Sequence, residues 1–143
     1  IAAETANELV ADGALAPEES KKYIRMIRQR AEIEEGESNK YGVMDDIKKE
    51  DMRKLIQVER QIELAFEEHR YWDVRRWKIA KDVLDGPSHG MEITRRVLAD
   101  ESESFSYRRI EVLNHVWDDR LYWWPVPQSE MSKSGALIQN PGY

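Results

Sequence analysis

Two acids inside an apolar helix face constrain this chain more than any other feature. Wound at about 100° per residue, Asp51 to Phe66 puts Met52, Leu55, Ile56, Ile62 and Phe66 on one side, and Glu59 and Glu63 fall near the middle of that stripe. A carboxylate in such a place is costly to bury unless a cation and further donors satisfy it. The fold must therefore bring guanidinium groups to it. Arg60, Arg70, Arg75 and Arg76 follow within the next turn or the next helix. The expected arrangement is a second helix from His69 to about Leu84, folded back on the first. It would hold Tyr71, Trp72, Val74 and Trp77 against that helix, with the Arg residues paired to Glu59 and Glu63 at the seam.

Upstream, Ala2, Ala3, Ala6, Leu9 and Val10 make a small-residue helix that ends toward Gly13, a plausible left-handed C-terminal position. Pro17 followed by Glu18 and Glu19 reads as a new helix start. Tyr23, Ile24, Ile27 and Ala31 form its apolar stripe, and Lys22, Arg25, Arg28 and Arg30 decorate the rest. Residues 1–33 are thus a helical hairpin of the kind stacked in tetratricopeptide-like arrays, although one pair cannot establish a repeat. Residues 34–49 carry no sustained apolar period and read as a long loop, with Tyr41, Val43 and Met44 available to tack it down.

After the helix pair at 50–85, Asp85-Gly86-Pro87-Ser88-His89-Gly90 reads as a stop and turn. Met91 to Leu98 and Phe105 to Val116 alternate apolar and polar residues around a polar spacer. Residues 90–117 are therefore expected as a two-stranded antiparallel hairpin on the helical body, a ribbon that would be marginal alone. In the tail, 118–143, Pro125 and Pro127 preclude a regular helix and favour an extended path. Gln128 to Met131 is expected to form one helical turn. The predicted fold is mostly α, with tetratricopeptide-like helical hairpins, a small C-terminal β-hairpin and an irregular tail.

Composition closes off several function classes. The net charge of −6 argues against a nucleic-acid partner. No apolar run approaches the roughly 18 residues of a membrane-spanning helix. The absence of Cys removes disulfides, thiolate metal sites and Cys nucleophiles together. Glu59 and Glu63 are about 6 Å apart along a helix, within the separations glycosidases use, yet they project from one element instead of flanking a bond from opposite sides. They read as structural ion pairs, and no catalytic residue is assigned. His69, His89 and His115 lack zinc spacing, and no Glu-x-x-His motif, nucleophile elbow, Walker loop or dinucleotide fingerprint occurs. No metal or cofactor is expected. Among the aromatics, Trp72 and Trp77 read as core. Trp123 and Trp124 would point to opposite faces, one inward, and Tyr41, Tyr107 and Trp117 are expected at the surface.

Two separated stretches carry a family resemblance. Glu59, Arg60, Glu63, Leu64, Ala65, Phe66 and Glu67, followed by Arg70, Asp73, Arg75, Arg76 and Trp77, resemble the C-terminal signature of the SusD/RagB family, cell-surface glycan-binding lipoproteins of Bacteroidetes. The chain departs from that pattern at Glu68, where members usually have a small residue, often Gly. The final stretch, with Pro125, Pro127 and Glu130 and then Gln139, Asn140, Pro141, Gly142 and Tyr143, resembles the family's closing pattern.

The resemblance implies a C-terminal part of one larger SusD-like domain. An opening of Ile1-Ala2-Ala3-Glu4, without initiator Met, signal peptide or lipidated Cys, fits that expectation. It further implies a non-enzymatic protein at the outer-membrane surface, lipid-anchored through an N-terminal Cys not present in this chain. Such a protein captures oligosaccharide over a SusC-like TonB-dependent transporter. The glycan site is expected upstream, and no ligand residue is assigned here. The rival reading is a helical-repeat scaffold that binds protein.

Overall fold

The computed structural model describes residues 1–37 and 40–143. The chain divides into two compact units, residues 1–70 and 71–143. In the first, α1 (Ala2–Glu8), α2 (Glu18–Arg30) and α3 (Lys49–Glu63) pack around Ala3, Ala16, Ile24, Val43, Met52 and Ile56. Small residues let the backbones approach: Ala3 is buried, and Ser20 Oγ donates to its carbonyl at 2.9 Å. Asn7 is wholly buried and donates to the Lys49 carbonyl at 3.0 Å. Between α1 and α2, Ala14 to Ala16 runs antiparallel to the start of α3 through a bridge between Leu15 and Lys48. Glu50, in the first turn of α3, accepts the Gly13 N–H at 2.7 Å.

The long loop before α3 is fastened by one stripe of α2. Lys21 reaches the Asp45 carbonyl, Arg25 reaches the Asp45 carboxylate and the Val43 carbonyl, and Arg28 donates to the Tyr41 carbonyl at 2.6 Å. Positions 21, 25 and 28 are one and two turns apart, so they share a helix face. Of the anticipated tacks, Val43 is fully buried, Tyr41 is half-buried and Met44 is exposed.

The end of α3 departs from the sequence reading. The helix stops at Glu63, and Phe66 and Glu68 take left-handed conformations at φ 66° and 62°. Beyond Glu63 the helical path is lost and the apolar phase with it, so Phe66, expected in the stripe, is exposed. Ile62, still within the helix, is exposed as well, whereas Met52 and Ile56 are core. Glu68 occupies backbone space that favours Gly, at a cost of about 1–2 kcal/mol for an L side chain. Glu68→Gly is expected to raise stability by about 0.5–1 kcal/mol once the extra unfolded-state freedom of Gly is deducted. A denaturant midpoint that fell instead would show that this turn carries no strain.

From the end of the first unit into the second, α4 (His69–Arg76) and α5 (Ala80–Leu84) replace the single helix expected to Leu84. Lys78 adopts φ 58°, with its N–H on the Arg75 carbonyl and the Ile79 N–H on the Val74 carbonyl, a Schellman stop. Neither Gly nor Pro marks that stop in the sequence. Strand β1 (Gly86–Val97) pairs antiparallel with β2 (Glu103–His115). The segment read as a turn at 85–90 is therefore already strand from Gly86, since Pro87 is tolerated at the start of an edge strand. A bulge at Ser88/His89 leaves Val112 unpaired. Gly90 is required beside it, because a Cβ there would meet Val112 Cγ2 at 2.8 Å.

Beyond β2 come a 3-10 turn, Asp119–Tyr122, and the one-turn helix α6 (Gln128–Met131), the latter as expected. The closing residues lock the Pro-containing segment. Gln139 exchanges both amide bonds with the Val126 backbone, at 2.7 and 2.9 Å, in place of a β-ladder. Asn140 donates to the Trp124 carbonyl and the Tyr143 hydroxyl to the Trp123 carbonyl. Gly142, at φ 88°, lies so close to Arg120 that a Cβ would come within 2.6 Å of it.

Candidate functional site

The paired acids of α3 are held, though from the other direction in the chain. Glu59 is almost wholly buried, and its Oε2 accepts from Arg28 Nε at 3.0 Å and Nη2 at 2.8 Å. Arg30 pairs with Glu63. The guanidinium groups described on these two acids come from α2, upstream, where the sequence reading looked to the Arg residues downstream. Arg75 lies over the Tyr71 ring at 3.9 Å and faces the Trp117 ring at 5.2 Å. Arg76 bonds the buried Asp73 at 2.8 Å and covers the Trp77 ring at 4.6 Å. Helix α2 lies beside α3 only after tertiary packing, so proximity in sequence gave no pointer to Arg28 and Arg30.

An acid clasped by two donors of one guanidinium is neutralised and immobile, which suits a structural pair better than a general acid or base. A pocket of about 200 Å³ is lined by Ile1, Ala3, Ile24, Ile56 and Leu64 together with Glu59, Arg60 and Glu63. Its walls are mostly apolar.

The second unit gathers the aromatics into a ladder. Trp72 meets Tyr71 edge to face at 5.0 Å, and Arg75 bridges Tyr71 to Trp117. Trp117 then meets Tyr122 at 5.0 Å, and Lys78 sits 4.5 Å from both the Tyr122 and the Trp123 rings. Cation–π stacking of this kind joins the signature helix to the tail without a large core. Trp117, expected at the surface, is half-buried in the ladder, while Tyr107 is exposed as expected. Trp72, expected in the core, is 57% exposed, and Trp123 and Trp124 are both exposed at 49% and 66%. Alternation along an extended segment predicts opposite faces but not that either face is covered.

His69 opens α4 at the surface, His89 accepts from Arg109 Nη2 at 2.9 Å, and His115 ends β2. Among the described residues no cluster of His, Asp and Glu could hold a metal ion.

Several carboxyls of the first unit titrate below their ordinary values. The Arg53 guanidinium bonded to Glu8 lowers the latter from 4.5, and the Lys49 ammonium bonded to Asp12 lowers the latter from 3.8. Lys40 does the same for Asp45, and the Gly13 N–H for Glu50. A depressed folded-state pKa contributes stability that is complete above the unfolded value and lost as pH falls through the folded one. The melting temperature is therefore expected to hold down to about pH 4.5 and to decline below it. Arg53→Met should make that decline shallower by removing the share of Glu8. An identical acid limb in the variant would contradict the assignment.

A three-helix unit with a buried guanidinium–carboxylate pair between α2 and α3, and a β-ribbon unit laced by cation–π contacts, make up a mixed α and β segment. The chain belongs to the SusD family, whose model matches residues 1–143. It is 30% identical to the SusD-like protein P2 of Formosa agariphila across its whole length. It also matches the crystal structure of a SusD-like protein from Bacteroides fragilis with a TM-score of 0.73 at 35% identity over 99% of the chain. It spans 24% of the length of the first relative and 23% of the second.

Proposed function

We propose that this chain is the C-terminal part of a single larger SusD-like domain that captures oligosaccharide at the bacterial outer-membrane surface. The protein would pass the glycan to a SusC-like TonB-dependent transporter without making or breaking a bond. The observation that carries this reading is the whole-chain match to the SusD family. Attachment would be through a lipidated N-terminal Cys upstream of Ile1, as the resemblance to the SusD/RagB lipoproteins implies. The helix pair α1–α2 would be the last of a tetratricopeptide-like series. Its open apolar side, with a hollow of about 350 Å³ lined by Ile1, Ala2, Tyr23, Met26 and Ile27, supports that placement.

The signature residues act in this reading as a brace and not as a sugar site. Glu59 is occupied by Arg28, and Asp73 by Arg76. The glycan contacts lie upstream. A glycan array probed with the full-length protein, followed by calorimetry, tests this. Binding to at least one oligosaccharide class, with no reducing ends released, is expected. Binding to protein partners alone would favour the helical-repeat scaffold, and turnover of oligosaccharide that Glu59→Gln abolished would favour an enzyme.

A further inference from the structure

The outer edge of β1 is open among the described residues. Strand β1 pairs with β2 alone, in a two-stranded sheet, so the backbone N–H and C=O groups on its far side meet no described strand. Met91 to Val97 are exposed throughout. An edge of this kind is a template for a further strand, with main-chain hydrogen bonds supplying affinity and side chains supplying register. The devices that bend or blunt an edge lie outside this stretch: Pro87 precedes it, and the bulge falls at Ser88/His89.

Charge decides which strand fits. Glu92, Thr94 and Arg96 project on one face of β1, and Met91, Ile93, Arg95 and Val97 on the other. Glu92 meets Arg108 at 2.8 Å, whereas Arg96 stands opposite Ser104 and has no acid partner among the described residues. A second copy of β1 laid alongside, antiparallel, about a two-fold axis keeps each face on its own side, so the axis passes through one residue and pairs it with itself. With the axis at Thr94, Glu92 of each copy faces Arg96 of the other, Met91 faces Val97, and the Arg95 stem lies against Ile93. Each Glu92 then sits between Arg108 of its own chain and Arg96 of the second copy. An axis at Glu92, Arg95 or Arg96 sets like charges against each other, and one at Ile93 pairs no acid with a base.

We propose that the outer edge of β1 is a self-association site, through which two copies of this protein join their ribbons into one four-stranded antiparallel sheet centred on Thr94. The strand supplies far fewer residues than the about 20–30 per side of a standard interface. The link is therefore weak and reversible, suited to gathering neighbouring copies and not to building an obligate dimer.

Residues 1–143 contain no Cys, so a single introduced thiol reports on the register. The test uses the full-length protein, with any free Cys outside residues 1–143 changed to Ser. Residues paired across an antiparallel ladder have Cα atoms about 4.5–5.5 Å apart, within reach of a disulfide. Thr94→Cys is expected to form a disulfide-linked dimer under mild oxidation. Glu92→Cys, about 13 Å from its symmetry mate, is expected to crosslink at least roughly tenfold more slowly. No dimer from Thr94→Cys, as when another strand occupies the edge, or equal rates at the two positions, would overturn the proposal. Charge reversal is the second measurement. In the Thr94→Cys background, Glu92→Arg and Arg96→Glu are each expected to slow crosslinking roughly tenfold, and mixing the two proteins is expected to restore it, because every charged pair across the axis is again acid against base. Damage to the ribbon itself is not mended by mixing. A mixture no faster than its components would also overturn the proposal. None of these readouts depends on glycan, so failure here and failure of the glycan reading are separate results.

Discussion

Arg28→Ala in the full-length protein is expected to lower unfolding free energy by about 3–5 kcal/mol, the usual cost of stranding one member of a buried ion pair. Arg28 gives two donors to Glu59 Oε2 and a third to the Tyr41 carbonyl. Their side chains are only 17% and 12% exposed, so water cannot readily replace the lost cation. The same substitution unfastens the loop at Tyr41. Arg28→Lys should recover only part of the loss, because an ammonium is a point charge without the planar fork. The double variant Arg28→Met/Glu59→Leu should recover more, since no charge is left buried. Urea denaturation measures all three. A loss under about 1 kcal/mol for Arg28→Ala, the scale of an exposed pair, would mean that Glu59 is reached by solvent.

Met52→Ala ranks second, at about 2–5 kcal/mol. Met52 is fully buried in the cluster with Ala3, Ala16, Ile24, Val43 and Ile56, a core drawn from α1, α2, α3 and two connecting segments. Truncation would leave a cavity that those elements share. With so few large side chains in the cluster, little slack exists to close it. A denaturant midpoint close to that of the parent protein would show that the three helices do not pack around Met52.

The helical hairpin, α3, the β-ribbon and the single turn at Gln128 were all legible, because each rests on a local period or a local stop. Boundaries failed where the stop had no marker. Lys78 ends α4 in a left-handed conformation that sequence gives no reason to expect of Lys. Phe66 left the apolar stripe because α3 ends at Glu63. The strap formed by Lys21, Arg25 and Arg28 was missed, although its spacing of four and then three residues was visible. Arg25 and Arg28 read only as decoration of the face away from the apolar stripe and Lys21 was not singled out, and only the loop lying across them reveals their task. The closing motif was recognised as a pattern, but its work was not: Gln139 stands in for a β-ladder beside two prolines.

From its residues alone, the chain declares that two acids must be neutralised inside an apolar face, that a ribbon follows the helices, and which family it resembles. These depend on spacing of residues along one element, which the order of amino acids fixes directly. Which guanidinium meets Glu59, which rings stack with which cations, and which apolar side chains stay bare were decided only in three dimensions. Such matches join elements many residues apart, and the geometry that selects among equally charged candidates exists only once the helices have packed.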